Sequence, residues 1–126
     1  MRQLQAYSPT VLGILRIVAA LLFIEHGTAK LLNFPVSEMH PPAFSLPWIA
    51  GVLEMVGGTL VLIGLWTRPA AFILSGLMAA AYWMAHAPQS FFPVNNGGDA
   101  AILFCFVFLY LVFAGPGAFA LDNKRA

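Results

Sequence analysis

Six residues carry chemistry in places where it is costly to leave it unused: Glu25, His26 and Lys30 within one apolar run, Glu54 within the next, and Asn96 and Asp99 at the start of the last. His26, with Glu25 or Glu54 tuning its proton affinity, has the chemistry of a general acid or base. Lys30 can stabilise a developing oxyanion. Asn95, Asn96, Gly97 and Gly98 precede Asp99 and offer side-chain and backbone hydrogen bonds around the same mouth. An ionised group inside a bilayer costs at least roughly 2.5 to 3.5 kcal/mol, so such residues face a bundle interior or a wet cavity and find partners there. The expected arrangement is a polar pocket in which Glu54 partners His26 or Lys30, and Asp99 is a candidate for Lys30.

The elements that must position these groups follow from composition. Of 126 residues, 60% are hydrophobic and 9% charged, against roughly a quarter charged in an ordinary soluble domain. Apolar stretches near the roughly 20 residues needed to cross a bilayer alternate with segments rich in Pro, Asn and Gly. The spans expected are 9–32, 47–66, 69–87 and 98–115. Proline near the start of the first three suits a first helical turn, and Gly115-Pro116-Gly117 closes the fourth. Each run is about twice the length of a membrane strand and lacks period-two alternation. The fold class is therefore all-α: an integral membrane four-helix bundle forming one domain over residues 1–126. Glycines 51, 57, 58 and 64 in the second span suit close helix packing and permit a homodimer.

Basic residues set the expected orientation. Arg2 precedes the first span, Arg68 lies between the second and third, and Lys124 and Arg125 follow the fourth, whereas connections 33–46 and 88–97 hold no Lys or Arg. Both termini are thus expected on the cytoplasmic side, with Lys30 snorkelling outward from the end of its span. Gly27-Thr28-Ala29 imitates a signal-peptide cleavage site, but Arg16, Glu25 and His26 interrupt the apolar region such a peptide requires. On this topology Glu25, His26 and Glu54 share a level roughly 10 Å below the outer surface at 1.5 Å per residue. Arg16, His26 and Lys30 share one broad helix face, with Glu25 pointing nearly opposite Arg16.

Other readings are excluded or left plain. A net charge of +1 argues against nucleic acid, and the single cysteine, Cys105, allows neither an intrachain disulfide nor a Cys-x-x-Cys pair. Arg16 is expected to pack against a helix or snorkel, and Cys105 to be a small packed or lipid-facing residue. His40 and His86 are expected to be solvated in the outer connections. Trp48, Trp66 and Trp83 suit interfacial anchors. His26, His86, Glu54 and Asp99 lack the local spacing of a metal site, and no metal is expected.

The segments Glu25-His26-Gly27-Thr28-Ala29-Lys30-Leu31, Gly51-Val52-Leu53-Glu54-Met55-Val56-Gly57-Gly58 leading to Gly64-Leu65-Trp66-Thr67-Arg68, and Asn96-Gly97-Gly98-Asp99 closely resemble the DoxX family. The resemblance runs from about Leu12 to Pro116 and implies a small four-helix protein of the bacterial cytoplasmic (inner) membrane. The family takes its name from a relationship to a membrane subunit of archaeal thiosulfate:quinone oxidoreductase. What this implies is at most a subunit of a membrane oxidoreductase, with quinone as the carrier its polar pocket (Glu25, His26, Lys30, Glu54, Asn96, Asp99) would bind. No facing haem histidines, cysteine cluster or nucleotide-binding glycine loop is present to carry electrons. The alternatives are a membrane anchor or assembly subunit whose polar residues simply pair, and a protein handling a small solute or metal.

Overall fold

The computed structural model describes residues 1–38 and 40–125, the side chain of Arg125 excepted. A short helix α1 (Arg2–Gln5) leads into α2 (Ser8–Leu32), followed by α3 (Leu46–Ile63), α4 (Thr67–Ala81), α5 (Pro93–Asn96), α6 (Asp99–Ala114) and α7 (Asp122–Arg125). A π turn at Tyr82–His86 and a 3-10 turn at Ala87–Gln89 prolong α4. Ser8–Leu32, Leu46–Ile63 and Thr67–Gln89 are each long and apolar enough to cross a membrane, and Asp99–Ala114 is a shorter apolar helix. Lipid offers backbone groups no hydrogen bonds, which is why the apolar runs close their own ladders as helices.

The ends of these helices obey local chemistry. Proline occupies the first turn of α2 and of α3, where its missing N–H has no partner to lose. The second span ends at Ile63, three residues before the expected Trp66, because Gly64 (φ 70°) and Trp66 (φ 50°) adopt left-handed conformations and turn the chain into α4. The third begins at Thr67 and reaches Gln89, two residues beyond the end expected.

Around the bundle, α2 packs on α3, α3 on α4, and α4 on α6, whereas α2 and α6 meet much less closely. The helices thus form an arc with a seam between the first and last spans. Ala20, Phe23, Val61, Ala71, Leu74, Phe108 and Leu111 fill the interior. Phe23 floors the seam, its ring centroid 5.3 Å from that of Phe104 and 4.9 Å from that of Phe108.

One end of the bundle, here the basic end, gathers the start of α2, the α3–α4 turn and residues 115–122. These last residues fold back as a strap: Ala118 N–H donates to Pro9 O, Leu121 N–H to Ile63 O and Asp122 N–H to Gly64 O. A Cβ on Gly64 would stand 2.3 Å from that of Ala120, so glycine is required there by contact as well as by its φ. The Asp122 carboxylate accepts from Trp66 N–H at 2.8 Å and Thr67 N–H at 2.9 Å, satisfying the open start of α4. Arg68 Nη1 donates to Val112 O at 2.8 Å and Phe113 O at 3.0 Å at the end of α6.

Arg16 holds this strap from inside. It is fully buried and donates to Pro116 O, to Ala118 O and Phe119 O at 2.9 Å each, and to Leu62 O at 3.4 Å. Of the two structural roles expected for it, packing is the one observed. A guanidinium fork can serve several carbonyls at once, so the charge is met by backbone dipoles with no need to reach the membrane surface.

Candidate functional site

The opposite end of the bundle carries the titratable residues singled out above. Glu25, His26 and Lys30 lie on the last two turns of α2, and Glu54 lies in the first half of α3. The close approach of α2 and α3 is made at Gly27, where an added Cβ would sit 2.8 Å from Gly51 O and 2.7 Å from Met55 Cγ. That proximity brings the Lys30 ammonium to Glu54 Oε1 at 2.5 Å. Glu54 is 1% exposed and Lys30 18%, so the carboxylate is enclosed while the ammonium keeps an outlet. The second carboxylate oxygen, Oε2, is buried with no hydrogen-bond partner among the described residues. Gly27→Ala is expected to lower stability by about 1 to 3 kcal/mol, because backbone at Gly51 cannot move aside as a side-chain tip can. Thermal unfolding in detergent measures this.

His26 belongs to a different surface. Its ring is exposed, its Nδ1 is 2.9 Å from Leu22 O, and it stands edge-on to Phe104 with centroids 5.9 Å apart. A carbonyl can only accept, so Nδ1 carries the proton of that bond and Nε2 is left for other partners. Glu25, also exposed, lies beside it. Both line one end of a groove of about 410 Å³ between α2 and α6, whose other walls include Ala19, Leu22, Ala100 and Phe104.

Asn96 and Asp99 do not join either group. Asn96 is buried, and its amide donates to Ser90 O at 2.9 Å and Tyr82 Oη at 3.3 Å while its Oδ1 accepts from Gly98 N–H at 2.8 Å. It also accepts, through its own carbonyl, from His86 Nδ1 at 3.0 Å. These bonds tie the connection before α6 together, and they give His86 a partner that exposed solvation did not foresee. Asp99 opens α6 exposed and is not the partner of Lys30, which is held by Glu54. Ser75 Oγ donates to Cys105 O at 2.8 Å, placing Cys105 in a packed contact between α4 and α6. Among the described residues no three His, Cys, Asp or Glu side chains converge as metal ligands.

The residues that sequence reasoning missed are Asp122 and the carbonyls of the strap. A signal was present: Gly115-Pro116-Gly117 cannot continue a helix, so its carbonyls are left open, and Arg16 is a donor that Glu25, nearly opposite it on the same helix, cannot satisfy.

The arrangement can be set beside known proteins. The DoxX family model matches residues 11–87, which contain Glu25, His26, Lys30 and Glu54 but neither Asn96 nor Asp99. The chain is 51% identical to an uncharacterized protein of Haemophilus influenzae, over 98% of this chain and 97% of that one. It is 31% identical to the inner membrane protein YphA of Escherichia coli, over 94% of this chain and 93% of YphA. It is 28% identical to the inner membrane protein YqjF of the same organism, over 87% and 90% of the two chains. No solved structure matches it. With its membrane-crossing helices and these relatives, the chain is a multi-pass protein of the bacterial inner membrane and a member of the DoxX family.

Proposed function

We propose that this protein is a redox-associated membrane subunit whose groove between α2 and α6 binds the head of a quinone. The observation that carries this reading is a lipid-facing apolar slot with an imidazole and a carboxylate at one end. Its volume lies within the range of small-molecule sites, which is roughly 300 to 1,000 Å³. Quinone supplies a two-electron, two-proton couple when bound. The chain's own contribution is binding and proton handling. With Nδ1 committed to Leu22 O, neutral His26 can accept a hydrogen bond at Nε2 from a quinol hydroxyl, and as imidazolium it can donate one to a quinone oxygen. Glu25 beside it offers a carboxylate for the same proton. The Phe104 ring edge gives the head group an aromatic wall. Electrons would be exchanged by a partner subunit.

Both termini are assigned to the cytoplasm in this reading, since Arg2, Arg16, Arg68 and Lys124 belong to the basic end. The slot's polar end then opens in the outer half of the bilayer. The whole chain acts as one unit.

Mass spectrometry of lipids extracted from protein purified in mild detergent tests the reading. The native protein is expected to retain quinone, and His26→Ala and Ala100→Phe are expected to lose it with unchanged thermal unfolding. Ala100 lines the groove and is exposed, so the added ring fills the slot without entering the core. Quinone absent from all three proteins, or held equally by all three, sinks the proposal.

A second reading, a membrane anchor or assembly subunit, draws support from the Lys30–Glu54 pair, which neutralises two charges by joining two helices. It predicts a stable protein partner on copurification and no retained lipid carrier.

A further inference from the structure

The four spans are joined unevenly. α2 and α3 pack closely on each other, as do α4 and α6, whereas α3 meets α4 less extensively and α2 meets α6 least. Each close pair has polar links of its own away from the basic end: Lys30 to Glu54 in the first, His86 to Asn96 O and Ser75 to Cys105 O in the second. The bundle is built as two helix pairs.

The hydrogen bonds that tie one pair to the other gather at the basic end. Residues 115–122 leave α6 and lie across the first pair, where Ala118 N–H donates to Pro9 O, Leu121 N–H to Ile63 O and Asp122 N–H to Gly64 O, and where Arg16 donates to Pro116 O, Ala118 O and Phe119 O. Farther along, the pairs touch through packing: Phe23 against Phe104 and Phe108, Gly57 against Leu74, and His26 edge-on to Phe104. Lipid supplies no hydrophobic drive between helices, so hydrogen bonds and close packing decide which contacts hold. The basic end is bolted and the Glu54 end is not.

A group at the unbolted end favours separation. Glu54 comes one turn before both Gly57, whose added Cβ would meet Leu74 of α4, and Gly58, whose added Cβ would meet Ile24 of α2, so Glu54 stands where the two pairs meet. Its Oε2 is buried with no hydrogen-bond partner among the described residues. Water admitted between the pairs would relieve the cost of that orphaned oxygen.

We propose that the two pairs rock about the strapped basic end, between the closed form of this structure and one in which the Glu54 end parts and water reaches Glu54. Gly64, Gly115 and Gly117, all at positive φ, stand at element ends beside the pivot, where hinge rotation is absorbed. The motion follows from how the pairs are joined and needs no quinone.

The test uses the full-length protein in nanodiscs, with Cys105→Ala to remove the native thiol and spin labels on introduced cysteine pairs. Leu32→Cys with Met84→Cys reads the Glu54 end, and Val11→Cys with Phe113→Cys reads the basic end; all four positions are exposed, at 61% or more. The distance distribution across the Glu54 end is expected to be at least about twice as broad as that across the basic end. Equal widths overturn the proposal. Independently, Met78→Cys, buried about three turns up α4, is expected to react with a water-soluble maleimide at least about tenfold faster than Val61→Cys, buried near the basic end. Equal protection of the two thiols also overturns it. Lys30→Met combined with Glu54→Met removes the buried charge, and is expected to narrow the distribution at that end and to slow the reaction of Met78→Cys. A folded double variant that moves neither readout overturns the part given to Glu54.

Discussion

Arg16→Met is expected to cost about 3 kcal/mol and to release the C-terminal strap, because it strips four backbone carbonyls of a buried charged donor at once. Pro116 O, Ala118 O and Phe119 O face Arg16 from the strap and Leu62 O from the end of α3. The loss propagates, since the strap carries Asp122, the carboxylate that satisfies the first N–H groups of α4. Arg16→Lys keeps the charge but offers a point donor where a planar fork is needed, so it is expected to recover only part of the stability. Unfolding in detergent measures the cost, and limited proteolysis within residues 115–122 reports release of the strap. Arg16→Met with native melting and a protected C-terminus would show that the carbonyls find other donors.

The second large effect is an asymmetry at the Lys30–Glu54 pair. Lys30→Met leaves a carboxylate that is 1% exposed without its counterion and is expected to cost about 3 to 5 kcal/mol. Glu54→Gln leaves an ammonium that is 18% exposed, in the last turn of α2 and on a side chain long enough to reach past the helix end, so its cost is expected to be clearly smaller. Lys30→Met combined with Glu54→Met removes both charges and is expected to return to within about 1 kcal/mol of the native protein, as apolar replacements of buried pairs commonly do. Unfolding of the three variants measures the asymmetry. Equal costs for the two single changes would mean that Glu54 is better solvated than its burial indicates. Quinone retention by the double variant separates the two readings of this end of the molecule. If the pair only joins α2 to α3, a refolded double variant keeps whatever the groove at His26 holds. Loss of quinone from a stable double variant would draw Glu54 and Lys30 into the binding site.

Much of this architecture was legible in the chain. The apolar runs and their prolines marked four helices to within a few residues, since lipid leaves the backbone little alternative. The largest misses, at the end of α3 and around α4, arose where Gly64 and Trp66 turn left-handed and where a π turn lets α4 run on. Pattern alone contains no sign of a non-glycine residue at positive φ. The candidate site was read less completely. Helical rise placed Glu25, His26 and Glu54 at one level with Lys30 nearer the end of its span, and the structure puts all four at one end of the bundle. It divides them, however, between an α2–α3 contact and an α2–α6 groove, while Asn96 is used up in tying its own loop.

What the sequence by itself determined was class and inventory: helices of membrane-crossing length, the family they belong to, and which polar residues must find partners among them. The tertiary structure alone decided the partners. Lys30 meets Glu54 because Gly27 lets α2 and α3 touch, and Asp99 is left exposed because α6 joins the bundle through α4 and meets α2 only loosely. Arg16 is satisfied by backbone carbonyls, which every residue possesses and which therefore leave no mark in a sequence. Helical period fixes which residues share a face, but the order of helices around a bundle and the rotation of each depend on packing between distant segments.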